Sequence, residues 1–233
     1  AHMGPWETSF LFHEAEIALK RGDPARARRA LDQFLLPGQE SIRRYRAQVR
    51  YAEALATEGR LVQAGDRLEA SLEALEAWRE GLDEVGLQRY AFQVGEYLPD
   101  PDLGVAFILA RLAEGGMEEK AFNLSERQKA RLLFERMILA EIGRTRELSE
   151  PARALPFPEA SLPLDAAQVM EAIPDSLTAI VEFVTGKGGE PTSAFILTKQ
   201  GVGSSALPPV DSLERDIQLI QSLAESGGDV MPV

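Results

Sequence analysis

A spacing of 37 residues recurs in the first part of the chain: Ala15 and Ala52, Gly22 and Gly59, Ala27 and Ala64, and Leu31 and Leu68 are each separated by that interval. Small and apolar positions repeating in register mark a unit that buries its apolar face only by stacking on its neighbour. Each unit reads as two helices. Phe10, Leu11, Ala15, Ala18 and Leu19 recur at helical spacing, and Arg21-Gly22-Asp23-Pro24 breaks the run. Asp23 suits an N-cap and Pro24 a first helical position, where no backbone N–H is required. Ala27, Ala30, Leu31 and Phe34 form the buried side of the second helix, which Pro37-Gly38 closes. The next unit runs through Tyr45, Val49, Ala52 and Leu55 to a stop at Glu58-Gly59-Arg60, then turns Ala64, Leu68, Leu72 and Leu75 inward. A poorer third copy is expected around Val94 and Tyr97, a turn at Pro99-Asp100-Pro101, then Ala106 and Ala110.

Further along, Ser125-Glu-Arg-Gln128 has the form of a capping box and predicts the start of a long helix with Leu132, Leu133, Met137, Leu139 and Ile142 as apolar positions. Residues 151–163 contain four prolines and read as a linker. After Leu164 the period changes. A short helix from Asp165 to Ala172 leads into strands expected at 178–185, 193–198 and 202–207, with a tight turn at Lys199-Gln200-Gly201. Asp211-Ser-Leu-Glu214 then caps a final amphipathic helix carrying Leu213, Ile217, Ile220 and Leu223. The expected fold is mainly α, a helix-turn-helix array at 4–150, followed by the linker and a small C-terminal α/β unit at 164–233, a strand hairpin plus helix. Ala1-His2-Met3 reads as a tag remnant and is set aside.

The repeated positions Ala15, Gly22, Ala27 and Leu31, and Ala52, Gly59, Ala64 and Leu68, resemble the tetratricopeptide (TPR) family. That family places a small residue where its two helices touch, a turn glycine, and alanine then a bulky residue on the second helix. The interval of 37 exceeds the usual period of about 34, and the tryptophan and tyrosine of the family's first helix are missing. The segment from Leu164 to Pro174, then Ala179-Ile-Val-Glu-Phe183, Ala194-Phe-Ile-Leu197 and Leu207-Pro208-Pro209, resembles the opening of the CHAT domain, a caspase-like peptidase domain that follows TPR arrays. The resemblance implies that the catalytic histidine and cysteine of that family lie further along than this segment.

Composition narrows the chemistry. The 233 residues include no cysteine and two histidines, His2 and His13, so a Cys/His dyad has no counterpart and no metal site or cofactor is expected. Thr185-Gly-Lys-Gly-Gly189 lacks the spacing of a phosphate loop and reads as a hairpin turn. Net charge is −12, which repels phosphate backbones and makes nucleic acid a poor partner. The imbalance is strongest after Leu164, where ten acids face three bases. No run reaches the roughly 18 apolar residues of a membrane span, so no membrane partner and a cytoplasmic setting are expected.

Within this acidic chain Arg26, Arg28, Arg29, Arg43, Arg44, Arg46 and Arg50 crowd together, and Arg43, Arg46 and Arg50 share one helix face. Two readings stay open: a groove for an acidic peptide, or a face paired with the array's own glutamates. The groove would be formed by Phe12, Glu16, Arg46, Arg50 and Glu53. The expected function is that of a non-enzymatic scaffold binding a protein or peptide partner. The alternatives are a regulatory fragment of a caspase-like cysteine peptidase, and a structural module, possible as a homodimer, that assembles through an open sheet edge.

Overall fold

Gly22, Gly59 and Gly116 set the architecture, with φ of 71°, 76° and 80°. This left-handed conformation costs a residue with a Cβ about 1–2 kcal/mol and glycine almost nothing. At each glycine one helix ends and the next begins by the same bonds. The amide after the glycine reaches back five residues: Asp23 to Ala18 at 2.9 Å, Arg60 to Leu55 at 2.9 Å, and Met117 to Leu112 at 3.0 Å. The glycine's own amide reaches back three, to Leu19, Ala56 and Ala113, which completes a Schellman turn. An alanine then makes the first bond of the next helix: Ala27, Ala64 and Ala121, each fully buried.

The computed structural model describes residues 5–35, 42–80, 104–130, 163–186 and 189–210, with the single positions 86 and 133. The helices are α1 (Pro5–Lys20), α2 (Pro24–Phe34), α3 (Ile42–Thr57), α4 (Leu61–Glu80), α5 (Val105–Glu114), α6 (118–130) and α7 (Ala166–Ala172). Three strands follow, β1 (Ile180–Val184), β2 (Thr192–Thr198) and β3 (Gly201–Leu207). The described chain is mainly helical with one small antiparallel sheet, as the sequence pattern predicts. None of its helices is long and apolar enough to cross a membrane.

The third hairpin sits elsewhere than its sequence signal. Val94, Tyr97 and Pro99-Asp100-Pro101 lie outside the described residues. Ala106 and Ala110 are buried, but on the first helix of a hairpin that turns at Gly115-Gly116. The step from Gly59 to Gly116 is 57 residues, so a constant period misses it. The capping box expected at Ser125 is also corrected, because α6 begins at residue 118, seven residues earlier. Ser125 stands where the preceding hairpin has Leu68, buried, and its hydroxyl donates to the Phe122 carbonyl at 2.8 Å instead of capping a helix start. Leu133 is exposed, and Leu132, Met137, Leu139 and Ile142 lie outside the described side chains.

Helix α3 is buried on two sides, which is what stacks the hairpins. Ala47 and Ala54 face Phe12, Ala15, Ala27 and Leu31 of the first hairpin. Tyr45, Val49, Ala52 and Ala56 face the larger core built with Leu68, Leu72, Leu109 and Leu112. The alanines let the helices approach closely.

The sheet closes the far end. Its order is β1-β2-β3, with the turn at Lys199-Gln200 as expected and strand limits within two residues of the expected ones. Phe195 and Leu197 on β2 are fully buried and belong to the helical core. Phe195 lies between Glu182 and Ser204, and Ile196 between Val181 and Gly203 on the opposite face. Helix α7 opens with a capping box between Asp165 and Gln168, and the Ala166 amide donates to Asn123 Oδ1 on α6 at 2.7 Å. All of the expected 151–163 linker but Pro163, and the helix expected after Asp211, lie outside the described residues.

Candidate functional site

The first helices of the first two hairpins, α1 and α3, bring the five groove residues together. Phe12 on α1 lies with its ring 4.6 Å from the Arg46 guanidinium on α3. One turn along, Glu16 accepts from Arg46 Nη2 at 2.7 Å, and Arg50 Nη2 stands 3.7 Å from the same oxygen. Arg50 Nη1 donates to Glu53 Oε2 at 2.6 Å. Spacing of three, four and seven residues puts Arg46, Arg50 and Glu53 on one edge of α3, while Val49 and Ala47 carry its buried sides.

Charge in this face is satisfied from within the chain. Arg50 is only 5% exposed, its Nη groups face Glu16 and Glu53, and its buried Nε has no hydrogen-bond partner among the described residues. Burial pushes the Glu53 carboxyl above the ordinary carboxylate range, with Arg50 opposing and the charge of Glu16 adding to the rise. Gly104 closes the face: a Cβ there would stand 2.7 Å from Glu53 Oε2 and 3.2 Å from Arg50 Nη1. The Gly104 amide, at the start of α5, donates to Glu190 Oε1 at 2.5 Å, so the β1–β2 connection is tied to the same cluster. Of the two readings of the arginine face, the pairing with the array's own glutamates describes Arg46 and Arg50. Arg43, on the same helix face, is exposed.

The opposite edge of α3 has different electrostatics. Arg44, Tyr45 and Gln48 form, with Arg67, Ala70, Ala74 and Trp78 of α4, a cleft of about 230 Å³ that Ser71 and Leu75 complete. Arg44 and Arg67 are the charged side chains that line it among the described residues. Arg67 stacks on Tyr51 with its guanidinium 4.4 Å from the ring. Burial lowers its pKa; Tyr51 and the charge of Asp32 oppose the fall, and the charge of Arg44 adds to it. No carboxylate among the described residues forms an ion pair with Arg67. Several other half-buried bases do form such pairs: Arg28 with Glu58 at 3.0 Å, Arg46 with Glu16, Arg127 with Glu76 at 2.7 Å, and Lys120 with Asp66 at 2.5 Å.

Sequence reasoning passed over Arg67. Its signal was the run of small residues at 70, 71 and 74 between Arg67 and Trp78 on one helix face, a gap between two large side chains. Trp78 is half-buried, packs on the core and also lines this cleft. His13 is exposed beside Glu16 Oε2 at 3.3 Å. Among the described residues no group of three acidic or histidine side chains is placed to hold a metal ion.

No family model, no curated protein and no solved structure matches the chain.

Proposed function

We propose that the chain is a protein-interaction scaffold, a TPR-like array that holds a peptide or partner protein against its stacked hairpins. One observation carries this reading: three hairpins with the same turn bonds stack so that α1, α3 and α5 contribute to one face and α3 and α4 to a cleft beside it. Stacked hairpins expose extended surfaces that read an extended partner by charge and shape. The arginines Arg44 and Arg67 of the cleft favour an acidic partner, and the net charge of −12 disfavours nucleic acid. A cytoplasmic setting is part of the proposal.

The test is fluorescence anisotropy of labelled acidic peptides against the purified chain, with neutral peptides of the same length alongside. Saturable, salt-sensitive binding of the acidic set is expected. Equal affinity for both sets, or none for either, overturns the reading.

A second reading is favoured by a separate observation. Val181, Phe183 and Ile196 stand together on the outer face of the sheet at 51%, 57% and 39% exposure. An apolar sheet face with an open edge strand is a site for assembly, and among the described residues β1 is such an edge. Solution mass rising with concentration, and reverting to monomer in Phe183→Lys, supports it. That α7 and the sheet open a caspase-like fold is a third proposal; a native reading frame carrying the missing histidine and cysteine segments supports it.

A further inference from the structure

We propose that the exposed edge of β1 pairs with the β1 of a second copy of this chain, antiparallel about a two-fold axis at Phe183, so that two sheets join into one. The inference rests on the reading of the sheet as an assembly site and adds the partner, the mode of contact and the register.

The two edges of the sheet differ. β1 exposes Ile180, Val181 and Phe183, and Leu177 just before it is exposed as well. Its one charged residue, Glu182, is turned to the helices, where it accepts from the Ser125 hydroxyl at 3.0 Å and pairs with Lys129. Edge strands that stay single are commonly blunted by lysine, proline or a bulge. Residues 180–184 hold none of these, and all five pair with β2 in unbroken register. β3, at the other edge, offers Gly203 and Ser205 on the same outer face, and Pro208-Pro209 follow it.

A strand that docks on β1 has to be short, free of outward charge and apolar at alternate positions. Among the described strands β1 itself meets these conditions, since β2 is interior and β3 is rich in glycine and serine. A second copy therefore supplies the complement. Fully burying one aromatic side chain removes about 150–250 Å², so these partly exposed residues offer on the order of a few hundred Å² per copy. That is short of the roughly 800 Å² per partner of a standard interface. With the main-chain bonds of a strand pair added, a reversible dimer of micromolar affinity is expected.

Self-pairing restricts the register. Facing residue numbers sum to a constant, and the sum is even when the outer faces stay on one side. A two-fold at Glu182 sets like carboxylates directly opposite, which is destabilising. A two-fold at Val181 pairs valine with valine and Phe183 with Ala179. A two-fold at Phe183 sets the two phenylalanines opposite and Glu182 against Val184 of the second copy. The aromatic pair favours the last. Each copy carries a net charge of −12, so they repel at long range and added salt tightens the dimer.

The experiment joins sedimentation equilibrium to disulfide trapping. The chain has no cysteine, so an introduced one reports alone. The expected mass rises with concentration from monomer to dimer and stops there, and Phe183→Lys weakens the dimer about ten-fold or more. Val62→Lys, at an exposed apolar position on α4, leaves it unchanged. Under mild oxidation Phe183→Cys forms a covalent dimer, because directly opposite Cα atoms lie about 4.5–5.5 Å apart. Val181→Cys stays monomeric, its mate about 13 Å away at four residues' offset, and so does Ile196→Cys on the interior strand. Trapping through Val181→Cys in place of Phe183→Cys overturns the register. Trapping through Ile196→Cys alone means stacked faces, which overturns the edge pairing and leaves the assembly reading standing. Growth beyond the dimer, or association weakened by salt, also overturns the two-fold pairing. A monomer at every concentration overturns both.

Discussion

The rings of Phe122 on α6 and Phe195 on β2 meet edge to face with centroids 6.1 Å apart, and both are removed from solvent. This contact makes the sheet part of the helical core instead of an appendage, since Phe195 belongs to the same cluster as Val49 and Leu109. Truncating either ring to alanine is expected to cost about 3–5 kcal/mol. Urea denaturation of Phe195→Ala should move the helical signal and the sheet together. A double-mutant cycle should return a coupling of about 0.5–1.5 kcal/mol. A variant whose helices unfold at the unchanged midpoint contradicts a shared core.

The three turn glycines provide a test of equivalence. At Gly22, Gly59 and Gly116 nothing lies within 4 Å of the place a Cβ would take, so alanine there meets no steric clash and suffers only the left-handed backbone cost. Gly22→Ala, Gly59→Ala and Gly116→Ala are each expected to lose about 1–2 kcal/mol, with similar values at all three. A much larger loss at Gly116 than at Gly59 shows that the third hairpin turns differently.

Gly104 is stricter. Its φ is 101°, and a Cβ would press on the buried carboxylate of Glu53 and the guanidinium of Arg50. Gly104→Ala is expected to lose about 1–3 kcal/mol from backbone strain alone, with displacement of the Glu53–Arg50 pair in addition. Comparison with Gly116→Ala by thermal unfolding isolates the second part.

A pH dependence follows from the contact between α6 and β1. Glu126 is pushed up to about 7 from an ordinary 4.5, first by burial and then by the hydrogen bond and charge of Glu182, with Lys129 opposing. Glu182 also accepts from the Ser125 hydroxyl at 3.0 Å and pairs with Lys129. The folded state binds the Glu126 proton more tightly than the unfolded chain does. Its contribution to stability is therefore complete below about pH 4.5 and is lost as pH rises through about 7. Urea midpoints of the wild type relative to Glu126→Gln should fall across that window. A pH-independent difference rules out the raised Glu126 carboxyl.

The legible parts of the fold were those written in local chemistry. The turns at Gly22 and Gly59, the cap at Asp23, the short helix from Asp165 and the tight turn at Lys199 each depend on neighbours within five residues. Placing the third hairpin needed more. A degenerate copy at 57-residue spacing, with serine where the earlier copy has leucine, has no periodic signal. The Ser125 capping box failed because a side chain that suits a helix start also bonds the carboxylate of a strand 57 residues away. Of the candidate site, the grouping of Phe12, Glu16, Arg46, Arg50 and Glu53 was legible from helical spacing and the 37-residue repeat. Whether its arginines were free was not.

Amino-acid order alone determined that this chain makes helical hairpins joined by glycine turns, followed by a small antiparallel sheet. Propensity, caps and periodicity act over one or two turns of chain. Which bases hold an internal carboxylate and which do not was decided by tertiary structure. Arg46 meets Glu16 across 30 residues, whereas among the described residues Arg67 meets the Tyr51 ring and no carboxylate ion-pair partner. An ion pair depends on distances of a few ångströms between separate helices, and those distances exist only once the hairpins have stacked.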